Sequence, residues 1–472
     1  MINLTVLTNE EVDAIHQATL RILSEVGVVL AHPGAREVLT GAGATVQNKR
    51  VLMPPELVEQ EVAKCPRQVT VHGRGEQSVV LGNGTLYWHN VGGARNVYDP
   101  ITGHHRPATL QDVRRSTRLL DALDNVTSIT PFFTPQEVPG PLMSLAMYRH
   151  ALPHTIKPLQ GPGVQNAAET RYAARMASVI GPPADVLSLG ISPISPLTFP
   201  DDTVEAIMET ARLGLALGPL PCPTAGATAM MSLAGALAQQ NAEVLASVVL
   251  AQLVEPGTPI VYCGRLAMIE PRTAISVWGG VELGIASAAT VQIGHQYHLP
   301  VNVYGLSTNS HVLDLQSGYE RALNAAIPAL AGADELSGIG EMEAGVMGSY
   351  AQMVCDDEIA ASVHRLRRGF AVDEDALDVQ VIAEVMDGSG NFLDQPHTVR
   401  YLRAGEIFLT RLAERRPWEE WDHTEREGMA ERAQAEAERL LDTHKVPPLT
   451  EDQERELDEI MEEATRELVP DT

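Results

Sequence analysis

Short apolar segments and long helical patterns take turns through the middle of this chain, and that alternation limits what it can fold into. Eight short segments stand out: Leu86–Asn90, Ser128–Phe133, Thr155–Gln160, Leu187–Ile191, Leu220–Pro223, Pro259–Cys263, Val301–Tyr304 and Glu335–Gly338. Helical spacing appears at Leu110–Leu123, Ala167–Ile180, Asp201–Leu217, Leu233–Val254, Thr273–His298 and Gly318–Ala331. Strands separated by helices pair in parallel. Eight such units in about 250 residues predict an α/β chain built as a (β/α)8 TIM barrel, with a doubly wound open sheet as the alternative.

The barrel is assigned to residues 86–416. Residues 1–85 read as a helical and β-hairpin extension. Thr8-Asn9-Glu10-Glu11 opens an amphipathic run to Val26, and Pro54-Pro55 opens a second helix to about Ala63. Gly82-Asn83-Gly84 is expected to turn a hairpin between Val79–Leu81 and Thr85–His89. Residues 417–472 form an acidic helical tail, densest in charge from Glu425, which reads as a solvated extension.

Charge excludes some partners. Lys and Arg number 34 against 61 Asp and Glu, a net charge of −27. That field repels nucleic acid and anionic membranes. The apolar helical stretches carry Glu243 and Glu282, so no membrane span is expected. Four scattered cysteines and an N-terminus without a signal pattern predict a cytoplasmic protein with reduced thiols. Self-association into a homo-oligomer is also expected.

No phosphate-binding loop, serine-hydrolase elbow or zinc-protease motif is present, and no resident metal is expected. The adjacent His104 and His105 would face opposite ways on a strand. Lys157, placed on the third segment, could form a Schiff base, pair with an acid, or meet a substrate carboxylate. Pro259–Gly264 and Pro300–Gly305 each run from proline through apolar residues to tyrosine and glycine, which sets Tyr262 and Tyr304 at strand ends, where barrels bind ligands. Rim packing is the other reading of these rings. Asp314 and Gln316 follow the seventh segment, and Glu341 and Glu343 follow the eighth.

Several stretches together resemble the trimethylamine methyltransferase family. They are Tyr98-Asp99-Pro-Ile-Thr102-Gly103-His-His-Arg106-Pro107-Ala108-Thr109, Thr224-Ala-Gly226-Ala-Thr228, Asn241-Ala-Glu243, Glu255-Pro256-Gly257, Asp314-Leu-Gln316-Ser-Gly318-Tyr319-Glu320, Asp357-Glu358-Ile359 and His397-Thr398-Val-Arg400. The resemblance spans about residues 5 to 415. It implies a (β/α)8 barrel that moves a methyl group from an amine to the Co(I) of a corrinoid (cobalamin) carried by a partner protein. The founding activity uses pyrrolysine. This chain has only the twenty ordinary residues, so it resembles the pyrrolysine-lacking branch, some members of which demethylate glycine betaine and related quaternary amines.

A quaternary ammonium substrate calls for aromatic faces and negative charge. Aromatic residues are 4% of the chain, yet Trp88, Phe132, Tyr262, Tyr304 and Tyr350 fall near expected strand ends. On this reading Asp99, Glu341 and Glu343 carry the catalytic or cation-binding charge. Trp88, His89, Phe132, Lys157, Tyr262, Tyr304, Asn309, Asp314, Gln316 and Tyr350 bind substrate. A betaine carboxylate would take His89, Lys157, Asn309 or helix-terminal N–H groups as donors. The alternatives are a Schiff-base lyase using Lys157 and a non-catalytic betaine-binding protein.

Overall fold

In a computed structural model, residues 2–388, 390–423 and 426–469 are described; Glu425, where the tail's charge run begins, lies outside them. The first helix, Asn9–Arg21, opens where expected. Thr8 and Glu11 exchange side-chain and backbone hydrogen bonds in a capping box. A π turn, Ile22–Val26, ends at Gly27, whose φ is 74° and where a Cβ would come 2.5 Å from the Val51 carbonyl oxygen, so only glycine fits. The helix expected after Pro54-Pro55 is Pro55–Val62, the third in the chain, since an unexpected helix forms at Pro33–Gly41.

The hairpin forms one segment earlier than its turn signal suggested. Val69–His72 pairs antiparallel with Ser78–Leu81, and the strand after Gly82-Asn83-Gly84, Tyr87–Asn90, leaves that layer altogether. Asn83 accepts from Thr85 N–H, while Gly82 N–H donates to Asp334. The turn therefore sends the chain into the core, where Tyr87–Asn90 pairs in parallel with Glu335–Ile339.

The fold is mixed α/β. Four parallel strands run in the order Tyr262–Gly264, Val301–Tyr304, Glu335–Ile339, Tyr87–Asn90, and Ser188–Ile191 pairs in parallel with Ala216–Pro219. The expected eight-strand closure is not found as a continuous sheet. Residues 128–133 and 155–160 contribute an isolated Ile129–Leu159 bridge instead of strands, and Pro131 and Pro158 there lack the N–H a ladder needs. The fifth strand also lies four residues before its expected place. Gly214, at φ 67°, follows a helix that already stops at Arg212, so Ala216–Pro219 becomes strand rather than helix. The expected helix at Thr273–His298 begins only at Val281.

Helices Leu110–Ala122, Ala167–Ser178, Asp201–Arg212, Leu233–Val254, Val281–Gln296, Leu315–Leu330 and Tyr350–Arg368 surround these strands. Leu233–Val254 is long and apolar enough to cross a membrane by length and composition, yet it is mostly buried against Asn9–Arg21, Pro55–Val62 and Asp201–Arg212. Apolar side chains on both its faces meet protein.

The acidic tail is not a solvated extension. Ala433, Ala437 and Leu441 of Met429–Thr443 are buried, and that helix packs on Tyr350–Arg368 and Leu110–Ala122. Leu457, Ile460 and Ala464 of Glu451–Leu468 are buried where it packs on Met143–Ala151 and Ala167–Ser178. The charges sit on the opposite faces, as an amphipathic helix requires.

Candidate active site

A cavity of about 560 Å³ lies between the four-stranded parallel sheet, the Ser188–Ile191/Ala216–Pro219 pair and the hairpin. Val71, Val79 and Leu81 of the hairpin line one end, packed with Ala216 and Val261 near the starts of their strands. The hairpin sits close because Gly73 has no Cβ to strike the Ile156 carbonyl, 2.2 Å away from that position. Thr130, Gly190, Leu220, Arg265, Tyr304 and Ser337 line the wall toward the strands' carboxyl ends.

Three neighbouring strands supply a polar network. Glu335 accepts hydrogen bonds from Ser128 Oγ at 2.8 Å and Gln160 Nε2 at 2.9 Å, and from the Asn302 amide. Arg265 follows Gly264 directly and donates to the Asn302 carbonyl at 3.0 Å and to Asn302 Oδ1. A guanidinium can only donate, so Oδ1 must face Arg265 and Nδ2 must face Glu335 and His89. His89 Nε2 therefore accepts from Nδ2 at 2.8 Å and the ring proton belongs on Nδ1, which has no hydrogen-bond partner. Burial foremost, with Arg265 adding to it against Glu335, pushes His89 below the ordinary histidine range, so the ring is neutral. Of the described residues lining the cavity, Arg265 and Glu335 are the ones with a formal charge. The Cys263 thiol in the wall is pushed up to about 12, chiefly by burial, and is no nucleophile at neutral pH.

Of the residues singled out from sequence, the structure brings His89 and Tyr304 into this cavity. The others fall elsewhere. Trp88 points outward and donates from Nε1 to His364 at 2.9 Å, since strand neighbours face opposite ways. Tyr262 likewise faces the helical layer, its hydroxyl donating to Asn241. Phe132 is fully buried, edge-on to Phe133 and covered by Gly348. Tyr350 donates to Asp112 at 2.8 Å.

The polar candidates serve loops and helix ends. Lys157 lies early in its segment, not at its carboxyl end. Its Nζ donates to the carbonyls of Leu120 at 3.0 Å and Leu123 at 2.6 Å, so it caps the helix Leu110–Ala122. Asp99 accepts from Ile101 and Thr102 N–H in a turn. Asn309 accepts from Trp278 and Gly279 N–H, Asp314 caps Leu315–Leu330, and Gln316 donates to Glu320. Glu343 meets His311 at 3.3 Å. Glu341 is fully buried outside the cavity lining, and its carboxyl is raised to about 7 by burial, against the pull of Ser307 and Arg321.

Sequence reasoning passed over Arg265, Asn302, Glu335 and Gln160. The one available signal was position: Arg265 directly follows the Tyr262-Cys263-Gly264 strand end, and Asn302 and Glu335 are polar residues inside otherwise apolar strands.

A mixed α/β fold with a ligand-sized, largely apolar cavity beside its parallel strands, carrying a few convergent polar groups, is the kind of site in which enzymes bind small molecules. The family profile described as Trimethylamine methyltransferase (MTTB) matches residues 1–469. The chain belongs to that family and is a methyltransferase. It is 30% identical over 469 residues to trimethylamine methyltransferase MttB of Desulfitobacterium hafniense, covering 98% of this chain and 94% of that one. It is 30% identical over 453 residues to glycine betaine methyltransferase of the same species, covering 94% and 93%. A crystal structure of Methanosarcina barkeri monomethylamine methyltransferase (MtmB) superposes with TM-score 0.49 at 11% identity, over 97% of this chain and 91% of that one.

Proposed function

We propose that this protein transfers a methyl group from a small quaternary amine, of the glycine betaine kind, to the Co(I) of a corrinoid held by a partner protein. The reduced corrinoid supplies the nucleophile, and a quaternary ammonium leaves as a neutral tertiary amine. The observation that carries the reading is the cavity: it is sized for a small molecule, walled by Glu335, and offers no free amine. A corrin ring is too wide to enter it, so the acceptor would meet the substrate at the mouth.

The chain's own work is then to hold and align. Glu335 attracts the ammonium, while hydrogen bonds from Ser128, Gln160 and Asn302 fix its carboxylate in place. Neutral His89 adds no repelling charge. Alignment of this sort substitutes for chemical activation when nucleophile and leaving group are both good. Glu335 takes the role first given to Asp99, Glu341 and Glu343. The Schiff-base reading loses its nucleophile, since Lys157 Nζ is held by two carbonyls away from the cavity.

The same reading treats all eight segments as staves of a (β/α)8 barrel over residues 86–416, with 1–85 and 417–472 as appendages. Parallel contacts between strands support it: Thr127 N–H to Trp88, Ile129 to Pro158, Gly161 to Ser188, and Val261 to Leu217. A homo-oligomer fits the exposed Phe370, Leu393 and Leu409. Cytoplasmic placement belongs to the same reading.

The test is to mix the protein with reduced free cobalamin and a panel of quaternary and tertiary amines and follow the Co(I) absorbance. Loss of that absorbance with a quaternary amine is the expected result. No loss with any amine, using cobalamin or a corrinoid protein, would remove the reading.

A further inference from the structure

We propose that Arg265, held in place by Asn302 and Tyr304, is the specificity-determining residue of this site, the one that seats the carboxylate of a substrate carrying both charges. This rests on the methyl-transfer reading and assigns that role to one residue.

Arg265 is only 5% exposed, yet no described carboxylate lies within ion-pair distance of it. Another deeply buried arginine, outside the cavity lining, makes the contrast. Arg321 is fully buried and has Asp356 at 2.9 Å. A buried guanidinium is ordinarily paired in this second way. Arg265 instead spends its donors on neutral oxygens: the Gly264 carbonyl at 3.2 Å, the Asn302 carbonyl at 3.0 Å, and Asn302 Oδ1. Its Nε makes none of these bonds. The Tyr304 ring lies 4.6 Å from the guanidinium carbon and holds the plane still. What remains is a fixed fork, facing a cavity, with donors to spare for the bidentate geometry a carboxylate offers.

The neighbouring charge sets the rest of the ligand. Asn302 receives Arg265 at its oxygen and presents its nitrogen to Glu335, so one amide separates a positive wall group from a negative one. These groups come from adjacent strands: Cys263 pairs with Asn302, and Asn302 pairs with Glu335. Neighbouring strands stand about 4.8 Å apart. A ligand answering both charges therefore lies across the strands, carboxylate on Arg265 and ammonium by Glu335. Its N-methyl groups stay free to face the mouth. A plain cation would satisfy Glu335 and be repelled by Arg265.

Titration calorimetry on the full-length protein tests this with trimethylammonioacetate, its cationic carboxamide, choline and tetramethylammonium. The acid is expected to bind at least tenfold more tightly than its amide. In Arg265→Met that preference should vanish, while tetramethylammonium binds as well or better. Arg265→Lys, keeping charge without the fork, should retain part of it. Equal binding of acid and amide to the unaltered protein, or no binding of the acid, overturns the proposal, as does a folded Arg265→Met that keeps the preference. If neither variant folds, the comparison of acid with amide decides alone. The Co(I) assay separates the two ideas. Methyl transfer from choline or tetramethylammonium, unaffected by a carboxylate, leaves the activity standing and sinks the seat. Arg265-dependent binding of the acid, with no Co(I) consumed by any amine, does the reverse.

Discussion

The guanidinium carbon of Arg265 stands 4.6 Å from the centre of the Tyr304 ring, and Trp278 meets that ring at 5.3 Å from another side. Tyr304 is therefore a support for the cation in the wall and not a free face for a cation in the ligand. Tyr304→Phe keeps the ring and should change substrate affinity by less than about threefold. Tyr304→Leu removes a cation–π contact worth about 0.5–2 kcal/mol, so affinity should fall about two- to thirtyfold. Calorimetry with trimethylammonioacetate reads both.

Lys157 belongs to the scaffold, its Nζ held by the Leu120 and Leu123 carbonyls, so its titration bears on stability. Burial, opposed by Asp121 and Asp357, lowers its pKa from 10.5 to about 8. The unfolded chain thus binds more protons between pH 8 and 10.5. This group's contribution makes stability rise with pH across that window, by at most about 3 kcal/mol at ~1.4 kcal/mol per unit. Lys157→Met should flatten the rise in denaturant titrations at pH 8 and 10. Borohydride with an amine-reactive carbonyl substrate should trap no adduct on Lys157.

Glu341 has the opposite sign. Its carboxyl is raised to about 7, chiefly by burial, so the folded protein holds a proton that the unfolded chain releases near 4.5. Stability from this group falls as pH rises from 4.5 to 7. Glu341→Gln should match the natural protein at pH 4 and exceed it at pH 8 by about 1–3 kcal/mol. Thermal melts at both values check this, and substrate affinity should not move.

The Tyr98–Thr109 stretch, which looks functional in sequence, works as a lock. Arg106 forks onto Asp112 with two bonds of 2.8 Å, and Tyr350 donates to the same carboxylate. Burial opposes the charge, but Arg106, Thr109 and Tyr350 outweigh it and hold the carboxyl at about 2. Its stabilisation is present above the unfolded value of 3.8 and is lost as pH falls toward 2. Tyr350→Phe should cost about 1 kcal/mol of stability and leave substrate binding unchanged.

Removing residues after 417 should destabilise the whole chain. The cut exposes the surfaces covered by Ala437, Leu441, Leu457 and Ile460, and frees Arg149 from Glu454 and Asp458. It also removes His444, 2.8 Å from Asp121, which in turn anchors Thr155 and Ile156. The truncated protein should melt at least several degrees lower, measured by circular dichroism. An unchanged melting temperature would show the tail to be independent.

Sequence alone determined the family, the alternation of strand and helix through the middle of the chain, and the acidic charge balance. Local rules suffice for these: Thr8 caps a helix, Val301–Tyr304 reads as a buried strand, and conspicuous motifs need no partner to be seen. It did not determine which side of a strand faces inward, because that depends on pairing register. Trp88 and His89 are neighbours, and the register that sets Trp88 opposite Leu336 and Tyr87 opposite Glu335 turned the indole out and the imidazole in. Nor did it reveal that Arg265, Asn302 and Glu335 share one network, since these residues meet only when three strands lie side by side. Burial then finished the assignment: the same low-dielectric core that keeps His89 neutral made Lys157 a helix cap, and left the charge in the cavity wall to two residues with no motif of their own.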